Sequence, residues 1–334
     1  MEKNTSINLN RKSIIDVAVI GLGVGKYHVE NLIKIKSINK IYIYDTNKEK
    51  YKFFSNKKII KVKKYEDILV NEKISLVCVA SYDHFHYKQI IDCLKYKKDV
   101  FAEKPICLSL KEFTHIKEVA KKKKKKVSCN FVLRSQREFK NLKKLIAGGV
   151  FGNIYYMEAD YNYGRLKKLT HGWRSKVPNY SVTLGGGIHM LDLVLWITKF
   201  KPKDVKSFSN DISTKNSDFR YKDFATTLIK FSNKSILKLT SNFGCVYPHS
   251  HFLRIYGTKC SYFYDGLSQK FIYKRNLKNI KKNVVNKNIN KKEILKNFIK
   301  HLVEKKKSKN EYININEIEK TMKLGFMVDK SIKI

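Results

Sequence analysis

A chain of 334 residues with 43% hydrophobic and 12% aromatic side chains can fill two cores, and its longest apolar stretches have strand length, which excludes a membrane-spanning helix. Its formal net charge of +41 suggests nucleic acid, yet only eight of its 70 basic residues are arginine, whose forks grip phosphate and base edges better than lysine does; the lysines are read as solvated surface with no specific nucleic-acid partner. The six cysteines at 78, 93, 107, 129, 245 and 260 form no CxxC pair and are read as free thiols with no metal site, and the opening "MEKNTSINLNRKSIID" lacks an apolar leader core, so the expected location is the cytoplasm.

From residue 14 to about 132, β-branched runs ("IIDVAVIG", "KIYIYD", "IIKV", "SLVCVA", "DVFAE", "KVSCNFV") alternate with segments of helical period. Strands separated by helices predict crossover units and a doubly wound parallel sheet covered on both faces. A helix over about 136–147 ends at Gly148-Gly149. Beyond it, seven strand candidates between "NIYYMEADYNYG" and "QKFIYKR" are interrupted by one long helix over 188–198, which predicts a mostly antiparallel sheet in an α+β domain. Residues 276–292 are polar and low in complexity and are expected to form a mobile loop, before helices over about 292–305 and 316–331 close the chain. The expected division is a doubly wound domain over 1–132 and an α+β domain over 133–334, with the closing helices able to pack back on the first.

The first strand runs into "GLGVGKYHVENLI". Gly21 suits a tight turn and Gly23 admits a pyrophosphate close to backbone N–H groups, with Val24 and Gly25 leading into a helix whose N-terminus is partly positive. The spacing is GxGxG, one residue shorter than the usual dinucleotide pattern. The second strand ends at Asp45, where a carboxylate can accept hydrogen bonds from the adenosine ribose and repel a 2′-phosphate, so NAD is expected over NADP. Lys48 and Lys50 oppose that preference, and "DTNKE" could equally be a helix cap.

The stretch "VCVASYDHFHYKQIIDCLKYKKDVFAEKPI" and, further on, "GGGIHMLDLVLWI" carry a resemblance that spans nearly the whole chain. Together with the glycine turn they resemble the Gfo/Idh/MocA family of nicotinamide-dependent oxidoreductases. The resemblance implies an N-terminal nucleotide-binding Rossmann domain over 1–132 and a substrate-binding and oligomerisation domain over 133–334 whose open-faced sheet builds a homodimer or homotetramer, with chemistry on sugars, inositols or sugar nucleotides. It places Ser81, His84 and His86 along the nicotinamide ribose and pyrophosphate. Glu103 would help hold the ribose, Lys104 would reach substrate beside the cofactor, and His189 would transfer the proton.

Position also singles out Lys104, because it follows the carboxyl end of a parallel strand and precedes a proline that stops that strand. A cation there can stabilise the alkoxide that develops as hydride leaves carbon. Many family members carry an aspartate four residues before the histidine, where this chain has Gly185. Asp192, or the aromatic and basic side chains of "YNYGRLKKLTHGWRSKVPNY", would then have to help. Tyr163, Arg165, Trp173 and Arg174 of that stretch are candidate substrate contacts through stacking and anion binding. The reading is an NAD-dependent oxidation of a secondary carbinol on a sugar-like substrate, preferably a sugar nucleotide. A catalytically silent NAD-binding regulator or assembly subunit, and an NADP-dependent reductase of a free sugar or polyol, stay open.

Overall fold

The computed structural model describes residues 14–267, 269–274, 281–284, 292–304 and 312–332. The first sheet is assembled from β1 (Ile15–Ile20), β2 (Ile38–Tyr44), β3 (Ile59–Lys61), β4 (Ile74–Val79), β5 (Asp99–Ala102) and β6 (Val127–Cys129). Between them lie α1 (Gly25–Ile33), α2 (Tyr65–Val70), α3 (Asp83–Lys95) and α4 (Leu110–Lys122). The order is β3-β2-β1-β4-β5-β6 with every pairing parallel. Because helices cover both faces, the central strands are apolar at consecutive positions, and Val17 to Ile20 and Leu76 to Val79 are all buried. Strand order reverses between β1 and β4, which opens a crevice at the carboxyl ends of β1, β4 and β5.

The second half contains α5 (Arg137–Ala147), β7 (Ile154–Asn162), α6 (Leu166–Thr170) and α7 (Ile188–Thr198). It continues through β8 (Pro202–Asn210), β9 (Phe224–Phe231), β10 (Ile236–Asn242), β11 (Ser250–Gly257), β12 (Cys260–Tyr264), β13 (Gln269–Lys274) and β14 (Lys281–Val284) to α8 (Glu293–Val303) and α9 (Ile315–Ile332). These strands form one sheet in the order β14-β13-β12-β11-β7-β10-β9-β8, antiparallel except for β7 and β10. The strands alternate: Met157, Ala159, Leu237 and Leu239 face Met190, Leu191 and Val194 of α7 in a buried core. The opposite face exposes Phe208, Leu228 and Ile236.

One difference from the sequence reading concerns the last third. Residues 281–284, expected in a mobile loop, pair with β13 as an edge strand, while 276–280 and 285–291 lie outside the described residues. The closing helices serve both halves. Leu295, Phe298 and Ile299 of α8 join the first core, where Phe298 packs 6.2 Å from Phe101, and α9 gives Ile318 and Met322 to the first core but Leu324 and Val328 to the second. That arrangement fixes the α7 face of the second sheet over the crevice of the first.

Candidate active site

The nucleotide side grows from the turn after β1. Gly21 has φ +87°, and a Cβ there would lie 2.5 Å from the Ala80 carbonyl oxygen and 2.6 Å from the Ser81 nitrogen, so only glycine lets the turn touch the end of β4. A Cβ on Gly25 would press Val19 and Ala80 at 3.0 and 3.3 Å, so this glycine brings α1 close to the sheet. Gly23 and Val24 are exposed, and a Cβ on Gly23 would meet nothing within 4 Å. The shortened GxGxG spacing therefore keeps all three glycine roles, with room over Gly23 for a pyrophosphate at the start of α1.

Asp45 closes the other end. Its Oδ2 accepts from the Leu22 N–H at 2.7 Å and from Lys50 Nζ at 2.8 Å, and its Oδ1 accepts from the Asn47 N–H at 2.9 Å. Burial opposes ionisation, but Lys50 and the two N–H groups outweigh it and hold the carboxyl below the usual range. Of the two opposing lysines, Lys50 pairs with Asp45, whereas Lys48 donates to the Lys63 carbonyl and the Tyr51 hydroxyl.

At the ends of β4 and β5 the expected residues divide. The Ser81 hydroxyl donates to Gln89 at 2.7 Å. His84 is half-buried against Phe85, with its Nδ1 unpartnered, and can face a ligand. His86 is fully buried, its ring nitrogens facing the carbonyls of Pro105 at 2.7 Å and Ser81 at 3.1 Å, so it ties two loops together. Glu103 Oε1 accepts from His28 Nε2 at 2.9 Å and Asn130 Nδ2 at 2.7 Å, leaving Oε2 free among the described residues. Burial pushes its pKa up, but His28 first, then Asn130 and Lys104, outweigh it and hold the carboxyl below the usual range, so it stays charged.

Lys104 follows, joined to Pro105 by a cis bond. Its Nζ donates 2.6 Å to the Gly185 carbonyl, on the π-helical turn Thr183–Gly187 that precedes α7. Burial lowers its pKa, with Asp83 opposing and Arg174 assisting, which makes its proton easier to release. His189, one turn further on, is 8% exposed, and no ring nitrogen has a protein partner among the described residues. Burial first, then the charges of Lys104, His251 and His249, push its pKa well below 6.5, so the imidazole is neutral at pH 7.

Asp192 is wholly buried and accepts from Arg134 Nε at 2.9 Å, Arg134 Nη2 at 2.8 Å and Thr321 Oγ1 at 3.0 Å. It sits on the side of α7 turned to α9, where these partners hold it. The loop residues split in the same way. Trp173 stacks on Tyr82 with centroids 5.0 Å apart and planes at 7°, which pins the loop across the crevice. Arg174 lies over the Trp173 and Tyr163 rings at 4.5 and 5.2 Å and donates through Nε to the Tyr180 hydroxyl at 3.0 Å. Its two terminal nitrogens have no protein partner among the described residues. Tyr163 is buried and stacked beside Tyr161, while Arg165 is exposed with its guanidinium 5.7 Å from the Tyr163 ring.

Several residues of this site escaped the sequence reading. Asp83, buried at the start of α3, has its pKa raised by burial against the pull of His86, Lys104 and Arg174. Tyr161 pairs in register with His251 across β7 and β11, and His249 packs against both. The "HSH" alternation at 249–251 was a legible signal, because residues two apart on a strand share a face.

Comparison with known proteins gives the same frame. A family model described as an oxidoreductase family with NAD-binding Rossmann fold matches residues 15–131, and one described as the GFO/IDH/MocA C-terminal domain matches 139–263. Curated relatives include a myo-inositol 2-dehydrogenase of Thermotoga maritima, 24% identical over 76% of each chain, and a glucose-6-phosphate 3-dehydrogenase of Bacillus subtilis, 27% identical over 68% of this chain and 67% of its own. Among solved structures, an inositol dehydrogenase homologue from Azotobacter vinelandii complexed with NADH and myo-inositol superposes with TM-score 0.81 at 14% identity over 96% of both chains. A UDP-N-acetylglucosamine 3-dehydrogenase from Acidithiobacillus ferrooxidans gives 0.76 at 17% identity, over 96% of this chain and 98% of that one.

Proposed function

The chain belongs to the Gfo/Idh/MocA oxidoreductase family, and on that premise we propose that it moves a hydride between nicotinamide and a secondary carbinol of an anionic sugar derivative, preferably a sugar nucleotide. The observation that carries this reading is the meeting of Lys104 and His189 across the crevice, where Lys104 is bonded to Gly185 and His189 stands neutral and unpartnered. The open space over Gly23, the exposed turn at Val24 and the free Oε2 of Glu103 suit NAD. Bound there, NAD supplies the hydride acceptor. Lys104 holds the substrate oxygen and offsets its growing negative charge, while an imidazole nitrogen of His189 takes the hydroxyl proton; in reduction the proton returns.

Arg174 supports an anionic substrate, because its free terminal nitrogens suit a phosphate fork and Arg165 stands at the same loop. Residues 1–132 then hold the cofactor and 133–334 the substrate. The exposed outer sheet face with Phe208 and Leu228 suits a second copy of the chain in the cytoplasm.

The test is nicotinamide reduction, followed by absorbance, with UDP- and GDP-sugars, sugar phosphates, free sugars and inositols under NAD or NADP. Turnover is expected for the phosphate-bearing compounds with NAD. Turnover of neutral polyols alone would overturn the anionic assignment, and tight NAD binding with no turnover of any compound would favour the silent subunit.

A further inference from the structure

Position 185 carries no side chain, but the space in front of it is occupied. A Cβ on Gly185 would collide with the Tyr180 hydroxyl and come within 2.6 Å of Tyr180 Cζ, so Gly185 is the residue that admits this ring. Tyr180 is buried, edge-on to Phe219 at 6.0 Å and Phe243 at 6.2 Å, which fixes the ring plane. Its oxygen accepts the Arg174 Nε–H at 3.0 Å, while the Gly185 carbonyl accepts from Lys104. One glycine thus brings together a phenol and the lysine of the crevice. Burial pushes the phenol up despite Arg174, so it keeps its proton. That proton has no acceptor among the described residues, and an enclosed hydroxyl with a free hydrogen is a donor waiting for an oxygen.

We propose that the Tyr180 hydroxyl, held by Arg174 in the space that Gly185 leaves, is a substrate-binding hydrogen-bond donor and stands where a carboxylate on residue 185 would otherwise sit. The donor is neutral, so the site gains orientation without a negative charge beside His189. The groups that face the imidazole are Lys104 from the turn after β5, His251 on β11, His249 before it and the Tyr161 ring on β7, none of which is a carboxylate. The substrate part of this inference rests on the proposed function; the part about residue 185 does not.

Two variants and two readouts separate these parts. Tyr180→Phe keeps the ring packing and removes the hydroxyl. UDP-N-acetylglucosamine and glucose 6-phosphate are titrated into the NADH-loaded protein, and whichever binds wild type is expected to bind about tenfold more weakly in this variant, with NADH affinity unchanged. Equal affinity overturns the donor role. Y180A/G185D clears the ring and supplies a carboxylate. The His189 ring signals are then titrated by NMR, with His189→Gln identifying them, and the midpoint is expected to rise by about one pH unit or more over wild type, because an opposite charge favours imidazolium. An unchanged midpoint overturns the claim that residue 185 addresses His189. If neither sugar binds wild type, the donor role falls with the proposed substrate class, and the NMR result stands alone.

Discussion

Replacing Asp192 by alanine decides whether this carboxylate belongs to the site or to the frame. Its two oxygens accept three hydrogen bonds, two from the buried Arg134 guanidinium and one from Thr321, and Arg134 reaches on to Glu317 at 2.7 Å. The network joins the turn after β6 to α7 and α9. Without Asp192 the guanidinium keeps a single carboxylate, on the exposed side. Breaking a buried pair from one end costs about 3–5 kcal/mol. Glu317 retains part of the guanidinium's stabilisation, so we expect about 3 kcal/mol, a large share of the roughly 5–15 kcal/mol that holds a typical domain together. Urea unfolding followed by circular dichroism measures the loss. R134M/D192L, which removes both charges, should recover much of it. A loss below about 1 kcal/mol, or a stable D192A that binds NAD but has lost all turnover, would refute the reasoning and return Asp192 to the site.

Other consequences follow from the same geometry. Because the folded pKa of His189 is depressed below 6.5, the native state binds fewer protons than the unfolded chain, so stability is lost as pH falls from 6.5 toward the folded value. His189→Gln should remove that slope, up to about 1.4 kcal/mol per pH unit, and parallel slopes in wild type and variant would contradict a buried neutral imidazole. Lys50→Ala frees Asp45 from its 2.8 Å ion pair and should raise the NAD over NADP preference about fivefold, read as a kcat/KM ratio, for a partly exposed pair worth about 1 kcal/mol. Trp173→Ala breaks the stack on Tyr82, worth about 0.5–1.5 kcal/mol, and should raise substrate KM and speed proteolysis of the 165–180 loop more than it lowers kcat.

The parts of this protein that the sequence disclosed are those written in local pattern. Apolar runs of strand length between helical segments gave the six-stranded parallel sheet, and the apolar run before Lys104 gave β5 and its carboxyl end. What stayed hidden depends on which distant side chains the fold brings together. The Lys104 contact with Gly185 spans 81 positions, and the Arg134 pair with Asp192 spans 58. Asp192 looked like a partner for His189 because three residues on a helix are neighbours, yet its carboxylate is drawn to a guanidinium from another element. His86 was placed along the cofactor by the family resemblance alone, while the two carbonyls that hold it come from separate loops. Gly185 looked like a loss of function in one dimension, and in three it is room for Tyr180.

The most direct test of the central claim, that Lys104 acts on the reacting oxygen, is the single-turnover rate of hydride transfer in Lys104→Met against wild type, with NAD and substrate both saturating. The account predicts a fall of about 10²–10³, the usual effect of deleting a group aimed at a developing oxyanion, with NAD affinity changed by less than about threefold. An unchanged rate in a variant that binds NAD normally would contradict it.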